Sequence, residues 1–333
     1  MRLLKKHKYT AAFLALALLL SSCTGLVKLD LPNADERDLD QSWTMLGKNE
    51  QRQHFSLSNV SPPLDVVWKK RVKSTIVDHP LAIGDYIIAP TKAGELYLVD
   101  YLTGNGIGTG KVGVAMDNAP TISGNNILLA MKAGPEKLLK LDLRNAEQEY
   151  KQNYPAINTS PLIWQDRVYF GSDRKKFFCA DFKTGEEIWQ FKTAGAVFSS
   201  PARSGNSILF ADVSGILYSL DIETGEENWR KQLNGTIYSH PVLDENNAYI
   251  GTVSGNMYVL YSGSGVLPEQ YSAVRRFMAT SCISDIMLMS YYAFTNRRAK
   301  SFGAILRKAL LTPYHSPHPT MFTSPHWIKT CTS

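Results

Sequence analysis

The chain has 333 residues, 44% of them hydrophobic and 20% charged, with 23 glycines and 16 prolines. That balance supplies a core for one large or two ordinary domains and excludes a disordered chain, a coiled coil and a collagen-like fibre. Four cysteines over such a length are too few for a disulfide scaffold. The formal charge of +6 sits entirely in residues 266–333, where eight Lys and Arg face only Glu269 and Asp285, whereas residues 1–265 balance to zero and residues 23–265 alone come to −4. A nucleic-acid binder carries a basic body, and this body is mildly acidic, so no nucleic-acid partner is expected.

Arg2, Lys5, Lys6, His7 and Lys8 form a basic head before the apolar run Ala11 to Leu20. Ten apolar residues span about 15 Å as a helix, half of a bilayer core, which predicts the central region of a signal peptide rather than a membrane span. The run ends Leu20-Ser21-Ser22-Cys23, which resembles the bacterial lipobox. That resemblance implies a thioether-linked diacylglycerol on Cys23, cleavage before it and acylation of the new amine. Thr24 after the cysteine, rather than Asp, implies sorting to the outer membrane, facing the periplasm. Each buried CH₂ of the acyl chains contributes about 0.8 kcal/mol, so several chains on one residue hold firmly. Residues 24–42 are polar and acidic and suit a flexible tether.

The body repeats. Pro80, Pro120, Pro161, Pro201 and Pro241 stand 40, 41, 40 and 40 residues apart. Behind each proline come a short apolar stretch, a small-residue turn, a second apolar stretch and then Asp100, Asp142, Asp181 or Asp221, with Tyr261 in the fifth slot. Two copies read almost identically: Asp181-Phe-Lys-Thr184-Gly185-Glu-Glu-Ile-Trp189 and Asp221-Ile-Glu-Thr224-Gly225-Glu-Glu-Asn-Trp229. A decayed copy from Asp142 keeps an aromatic, Tyr150, in the tryptophan slot, and the copy from Asp100 keeps Thr103-Gly104 but has Gly108 there. Asp-x-x-Thr-Gly is a tight turn, in which the carboxylate accepts backbone N–H groups and glycine tolerates positive φ. Ser214-Gly215 and Ser254-Gly255 mark a second turn between apolar runs.

Tyr97, Leu139, Phe178, Tyr218 and Tyr258 stand three positions before the Asp slot, and Val99, Leu141, Ala180, Leu220 and Leu260 stand one before. Both columns fall on one strand face, while the column between them (Leu98, Lys140, Cys179, Ser219, Val259) is mixed. Four short strands per 40 residues without a helical period predict one blade of an all-β propeller. A lone blade cannot bury both faces, so neighbours must stack.

Ala180-Asp181-x-x-Thr184-Gly185-x-x-x-Trp189 resembles the repeat of PQQ-type β-propellers, in which the tryptophan docks between adjacent blades. Trp43 to Arg52, followed by Val67-Trp68, resembles the opening of the first blade in such chains. The resemblance covers residues 43–265 and implies that Trp68, Trp189 and Trp229 pack between blades. Asp100, Asp142, Asp181 and Asp221, with Gly185 and Gly225, are then turn residues rather than catalytic groups. His79 and His240, each before a repeat proline, are structural or line one end of the pore.

After Gly265 the pattern stops: Glu269 stands in the tryptophan slot and no Asp-x-x-Thr-Gly follows. The tail carries Met- and Tyr-rich text, a basic run from Arg297 to Lys308, and a closing Pro/His/Ser/Thr tract. A partner-binding or membrane-surface appendage, a helical second domain and a reading-frame shift that truncates a longer propeller are its three readings, of which the third is favoured by the simultaneous change in composition, charge and repeat. The expected organisation is a signal peptide over 1–22, a tether over 23–42, propeller repeats over 43–265 and a basic tail over 266–333, giving about five blades plus a fragment. Open blade edges invite pairing with other chains.

Catalytic constellations are missing from the text. There is no vicinal Cys-Cys pair, no calcium loop of EF-hand spacing, no His-x-x-x-His or Cys-x-x-Cys, and no phosphate loop. Neither cofactor nor metal is therefore expected; the runner-up, a PQQ-dependent dehydrogenase, requires quinone and calcium. A third reading is an envelope polysaccharide binder. The repeat together with the lipobox resembles the BamB family, the scaffold lipoprotein of the outer-membrane β-barrel assembly machinery. That implies a non-catalytic scaffold with protein partners in an outer-membrane complex.

Overall fold

The computed structural model describes residues 42–56 and 63–267. Among them the chain forms nineteen strands and no helix. The first sheet holds β1 (Leu81–Ile83), β2 (Tyr86–Pro90), β3 (Glu95–Asp100) and β4 (Gly106–Lys111). The second holds β5 (Thr121–Ser123), β6 (Asn126–Ala130), β7 (Leu138–Asp142) and β8 (Gln148–Gln152), and the third β9 (Leu162–Trp164), β10 (Arg167–Gly171), β11 (Lys176–Asp181) and β12 (Glu187–Lys192). The fourth holds β13 (Ala202–Ser204), β14 (Ser207–Ala211), β15 (Ile216–Asp221) and β16 (Glu227–Gln232). The fifth has three strands among the described residues, β17 (Val242–Leu243), β18 (Asn247–Gly251) and β19 (Met257–Tyr261). Every sheet is an antiparallel meander in chain order, the arrangement of β-propeller blades.

Contacts divide the chain into two compact units. One contains residues 42–46 and the first three sheets; the other contains Gly47–Phe55 and the last two. In the first unit, Leu139 and Leu141 of β7 share a buried cluster with Ile88, Leu96 and Leu98 of the preceding sheet. Phe178 and Ala180 of β11 likewise join Leu128, Leu138 and Tyr150 of the second sheet. In the second unit, Leu260 of β19 packs with Ala211, Leu217 and Trp229. Within each unit the two apolar columns therefore face the preceding sheet, and the mixed column faces the following one. Each fully buried Leu or Ile contributes about 2 kcal/mol, so stacking supplies the stability that a single sheet lacks.

The mixed column is as buried as its neighbours: Leu98, Lys140, Cys179 and Ser219 are all under 5% exposed. Its variety has a volume explanation. Across the sheet Leu98 pairs with Gly108, Lys140 with Tyr150, Cys179 with Trp189 and Ser219 with Trp229. Small residues stand opposite tryptophan and a large one opposite glycine, which conserves the layer thickness between sheets. Just after each of these four pairs the register shifts by a β-bulge, which re-aims the outer strand at the turn it reaches.

Candidate functional site: the aspartate turns, their docked aromatics and the leader

Each Asp slot begins a turn held by its own carboxylate. Asp100 Oδ1 accepts the Thr103 amide (2.8 Å) and the Thr103 hydroxyl (2.7 Å). Asp142 Oδ1 accepts from Arg144 (2.7 Å) and Asn145 (3.3 Å). Asp181 Oδ1 accepts from Lys183 and Thr184, both at 2.8 Å, and Asp221 Oδ1 from Glu223 and Thr224, both at 2.9 Å. These donors hold the carboxyls of Asp100, Asp181 and Asp221 below the usual carboxylate range, with the bonds from the turn threonine as the main cause. Three of the turns close with an amide bond back to the Asp carbonyl, from Gly104 (2.9 Å), Gly185 (2.8 Å) and Gly225 (3.0 Å).

The turn glycines are seats for aromatic rings. A Cβ on Gly104 would lie 2.5 Å from the Trp68 ring, one on Gly185 2.6 Å from Tyr150, and one on Gly265 2.5 Å from Trp229. Each of these glycines also has φ near +70°. The indole N–H groups finish the dock: Trp68 Nε1 donates to the Tyr101 carbonyl (2.8 Å) and Trp229 Nε1 to that of Ser262 (3.2 Å). Where β4 has Gly108 and offers no aromatic, the next turn has Ala146 instead of glycine, at φ +59°. Seat and ring are lost together. Gly225 holds φ +75°, and Trp189 lies 5.9 Å from the Tyr169 ring and 6.2 Å from Phe177 within its own sheet.

Several residues that sequence reasoning passed over hold the site. Lys140 is 4% exposed; its Nζ pairs with Glu149 (2.8 Å), donates to the Phe182 carbonyl (3.2 Å) and lies 4.0 Å from the Phe182 ring centroid. Asp212 is fully buried. Its Oδ1 accepts from Ser214 (2.9 Å) and Ile216 (3.3 Å), and its Oδ2 from Gly195 (2.7 Å) and the Tyr218 hydroxyl (2.9 Å). Burial first, then that carboxylate, push the Tyr218 phenol up to about 12. With four donors on it, Asp212 is a fastener between loops rather than a free base. The signal was present in the text: Thr91, Ser172 and Thr252 fill the same slot in their repeats with shorter oxygen side chains.

The leader is also bound. In the first unit Trp43 pairs with Ala82 of β1 through two backbone bonds (2.8 and 2.9 Å), and the Thr44 carbonyl accepts from Ile122 of β5 (2.7 Å). His79 Nε2 accepts from Trp43 Nε1 (3.3 Å). In the second unit Glu50 and Gln51 accept from Arg203 and Leu243, both at 2.9 Å. Glu50 also pairs with the Arg203 guanidinium (2.7 Å), buried Arg52 donates to the Pro201 carbonyl (2.9 Å), and His54 stacks on His240 with centroids 6.4 Å apart. Cys23, the signal and tether segments up to residue 41, and the tail from 268 onward lie outside the described residues.

The family model described as outer membrane protein assembly factor BamB matches residues 30–191 and 183–267. No curated protein matches the chain. Among solved structures, BamB from Moraxella catarrhalis is 17% identical, with 58% of this chain and 62% of that chain covered and a TM-score of 0.48. The quinohemoprotein alcohol dehydrogenase from Comamonas testosteroni is 14% identical over 68% and 48% of the two chains, with a TM-score of 0.57. A europium-containing methanol dehydrogenase is 13% identical over 68% and 57%, with a TM-score of 0.60. The chain therefore spans less than two thirds of each of these proteins, and the likeness to the two dehydrogenases is one of fold alone. Repeated sheets joined by aspartate turns and a family match running from residue 30 to 267 together place the chain in the outer membrane protein assembly factor BamB family, as an all-β propeller of PQQ-like repeats.

Proposed function

We propose that the chain is a lipid-anchored propeller on the periplasmic side of the outer membrane, acting by binding proteins rather than by catalysis, in the assembly of outer-membrane β-barrel proteins. The family match over residues 30–267 is the observation that carries this reading. Its support in the geometry is that the repeat aspartates are engaged by backbone donors in turns, and that Asp212 is fully spoken for. The Cys179 thiol is buried beside Tyr169, and burial pushes it up to about 12, so it is no reactive nucleophile.

Extraction of the full chain in mild detergent tests the reading. An outer-membrane β-barrel complex is expected to co-purify, and Cys23→Ser is expected to release the chain into the soluble periplasmic fraction. Quinone absorbance with alcohol-dependent dye reduction would overturn the reading in favour of a dehydrogenase. Retention on peptidoglycan without a protein partner would favour polymer binding.

A further inference from the structure

The four aspartate turns end alike: the Asp amide donates to the carbonyl of Asn105 (2.9 Å), Glu147 (2.9 Å), Glu186 (2.8 Å) or Glu226 (2.8 Å). Three of these end residues are glutamates and all three are exposed, so the slot accepts a carboxylate without desolvating it. The first turn has asparagine there instead, and glycine follows it. Asn105 and Gly106 are both exposed, and Gly106 is the first residue of β4. With no Cβ to shield it, the Gly106 nitrogen is open to the Asn105 side chain, and strand ends open at the lowest free energy. Lys70 Nζ stands 2.7 Å from where a Gly106 Cβ would lie, so a cation is beside any negative charge that develops on that nitrogen. The other Asn-Gly pair, Asn234-Gly235, is more tightly built. Gly235 is held at φ +109° against Ser254 and Thr252, and the Asn234 amide donates to the Tyr258 hydroxyl (3.1 Å).

We propose that Asn105 is a modification site, converted to aspartate through a cyclic imide with Gly106, and that its turn is built to accept the product. The Gly106 nitrogen gives its proton to hydroxide and attacks Asn105 Cγ. The new C–N bond closes a five-membered ring, the Cγ–Nδ2 bond breaks, and the amide nitrogen takes a proton from water and leaves as ammonia. Water then opens the imide, so that over both steps one water is consumed, one ammonia is released and nothing is oxidised. Hydrolysis of the bond to Cγ gives aspartate, which places in the first repeat the carboxylate that the others carry as Glu147, Glu186 and Glu226. Hydrolysis on the main-chain side gives isoaspartate, which takes the carbonyl used by the Asp100 amide out of the main chain. That product undoes the turn whose Gly104 seats Trp68. The reaction is independent of the protein-binding reading and stands or falls apart from it.

The test ages the full chain in mild detergent at 37 °C and mildly alkaline pH, then follows the tryptic peptide Ala93–Lys111 by mass spectrometry. A gain of about one dalton at Asn105 is expected, in aspartyl and isoaspartyl forms, several-fold faster than at Asn234. Gly106→Ala, whose methyl meets only the flexible end of Lys70, is expected to slow the gain about tenfold. Asn105→Asp and Asn105→Glu are expected to melt with the unsubstituted chain, and the aged chain to show a lower-melting fraction that Asn105→Glu never develops. No gain in the peptide, a gain no faster than at Asn234, or one that Gly106→Ala leaves unchanged would overturn the proposal. So would an Asn105→Asp chain that melts well below the unsubstituted one, because the slot would then refuse the product.

Discussion

Two junctions between neighbouring sheets, one in each unit, solve the same problem with different chemistry. Between the fourth and fifth sheets a single large ring does the joining: Trp229 covers Gly265 and donates to the Ser262 carbonyl, opposite small Ser219. Between the second and third sheets the smaller Tyr150 covers Gly185, and polar bonds make up the difference. Lys140 reaches the Phe182 carbonyl (3.2 Å), Gln152 that of Thr184 (2.9 Å) and Tyr154 that of Gly185 (2.9 Å). What the fold demands of this position is a filled layer and satisfied turn carbonyls. Tryptophan meets both demands in one residue, and its replacement takes several.

The comparison is broken most sharply by deleting the single ring. Trp229→Ala is expected to cost about 3 kcal/mol in urea unfolding, because it opens a cavity and removes a donor at once. A loss under about 1 kcal/mol would mean that Trp229 is not the joint described. Next in size, Gly185→Ala puts a methyl 2.6 Å from the Tyr150 ring at φ +72° and is expected to cost about 2 kcal/mol by the same measurement. The mirror experiment is Ala146→Gly, at a turn of φ +59° to which the preceding sheet, with Gly108, brings no aromatic. Relief of left-handed strain there is expected to stabilise by about 0.5 kcal/mol, and a loss of stability would show that the Ala146 methyl packs usefully.

The smallest effect is on pH. The Asp100, Asp181 and Asp221 carboxyls are held low in the folded state, so their contribution is complete above the unfolded value near 4. It is lost as pH falls through the folded values. Because these groups are exposed, the acid limb of urea midpoint against pH is expected to be shallow, and Asp181→Asn to flatten it slightly. An Asp181→Asn limb as steep as that of the unsubstituted chain would show that the turn bonds carry no pH dependence.

Much of this architecture could be read from the chain, because a repeat states its own grammar several times. Pro80 to Pro241 and the Asp-x-x-Thr-Gly spacing give the number and direction of the sheets, and the paired columns give the faces. The mixed column resisted reading because burial of Lys140 and Ser219 depends on partners in β8 and β16 and in the next sheet, which periodicity along one strand cannot reveal. Gly108 and Ala146 look like separate decay until ring and seat are recognised as one contact. Asp212 hid among hydroxyl residues because its slot needs an oxygen acceptor for a turn amide, and a hydroxyl or a carboxylate supplies one. The division of the body into two units left no mark in composition, since both sides use the same repeat.

The hold on Gly47–Phe55 bears on the order in which the molecule is made. Gln53 donates to the Leu243 carbonyl and Glu50 pairs with Arg203, contacts 190 and 153 residues apart in the chain. The second unit therefore cannot be completed by its own stretch of polypeptide. A segment synthesised early must wait, unsatisfied, until the fourth and fifth sheets arrive to receive it. A fragment beginning at Thr193 would lack the strap that β13 and β17 grip, so the late half of this protein is not a transplantable module.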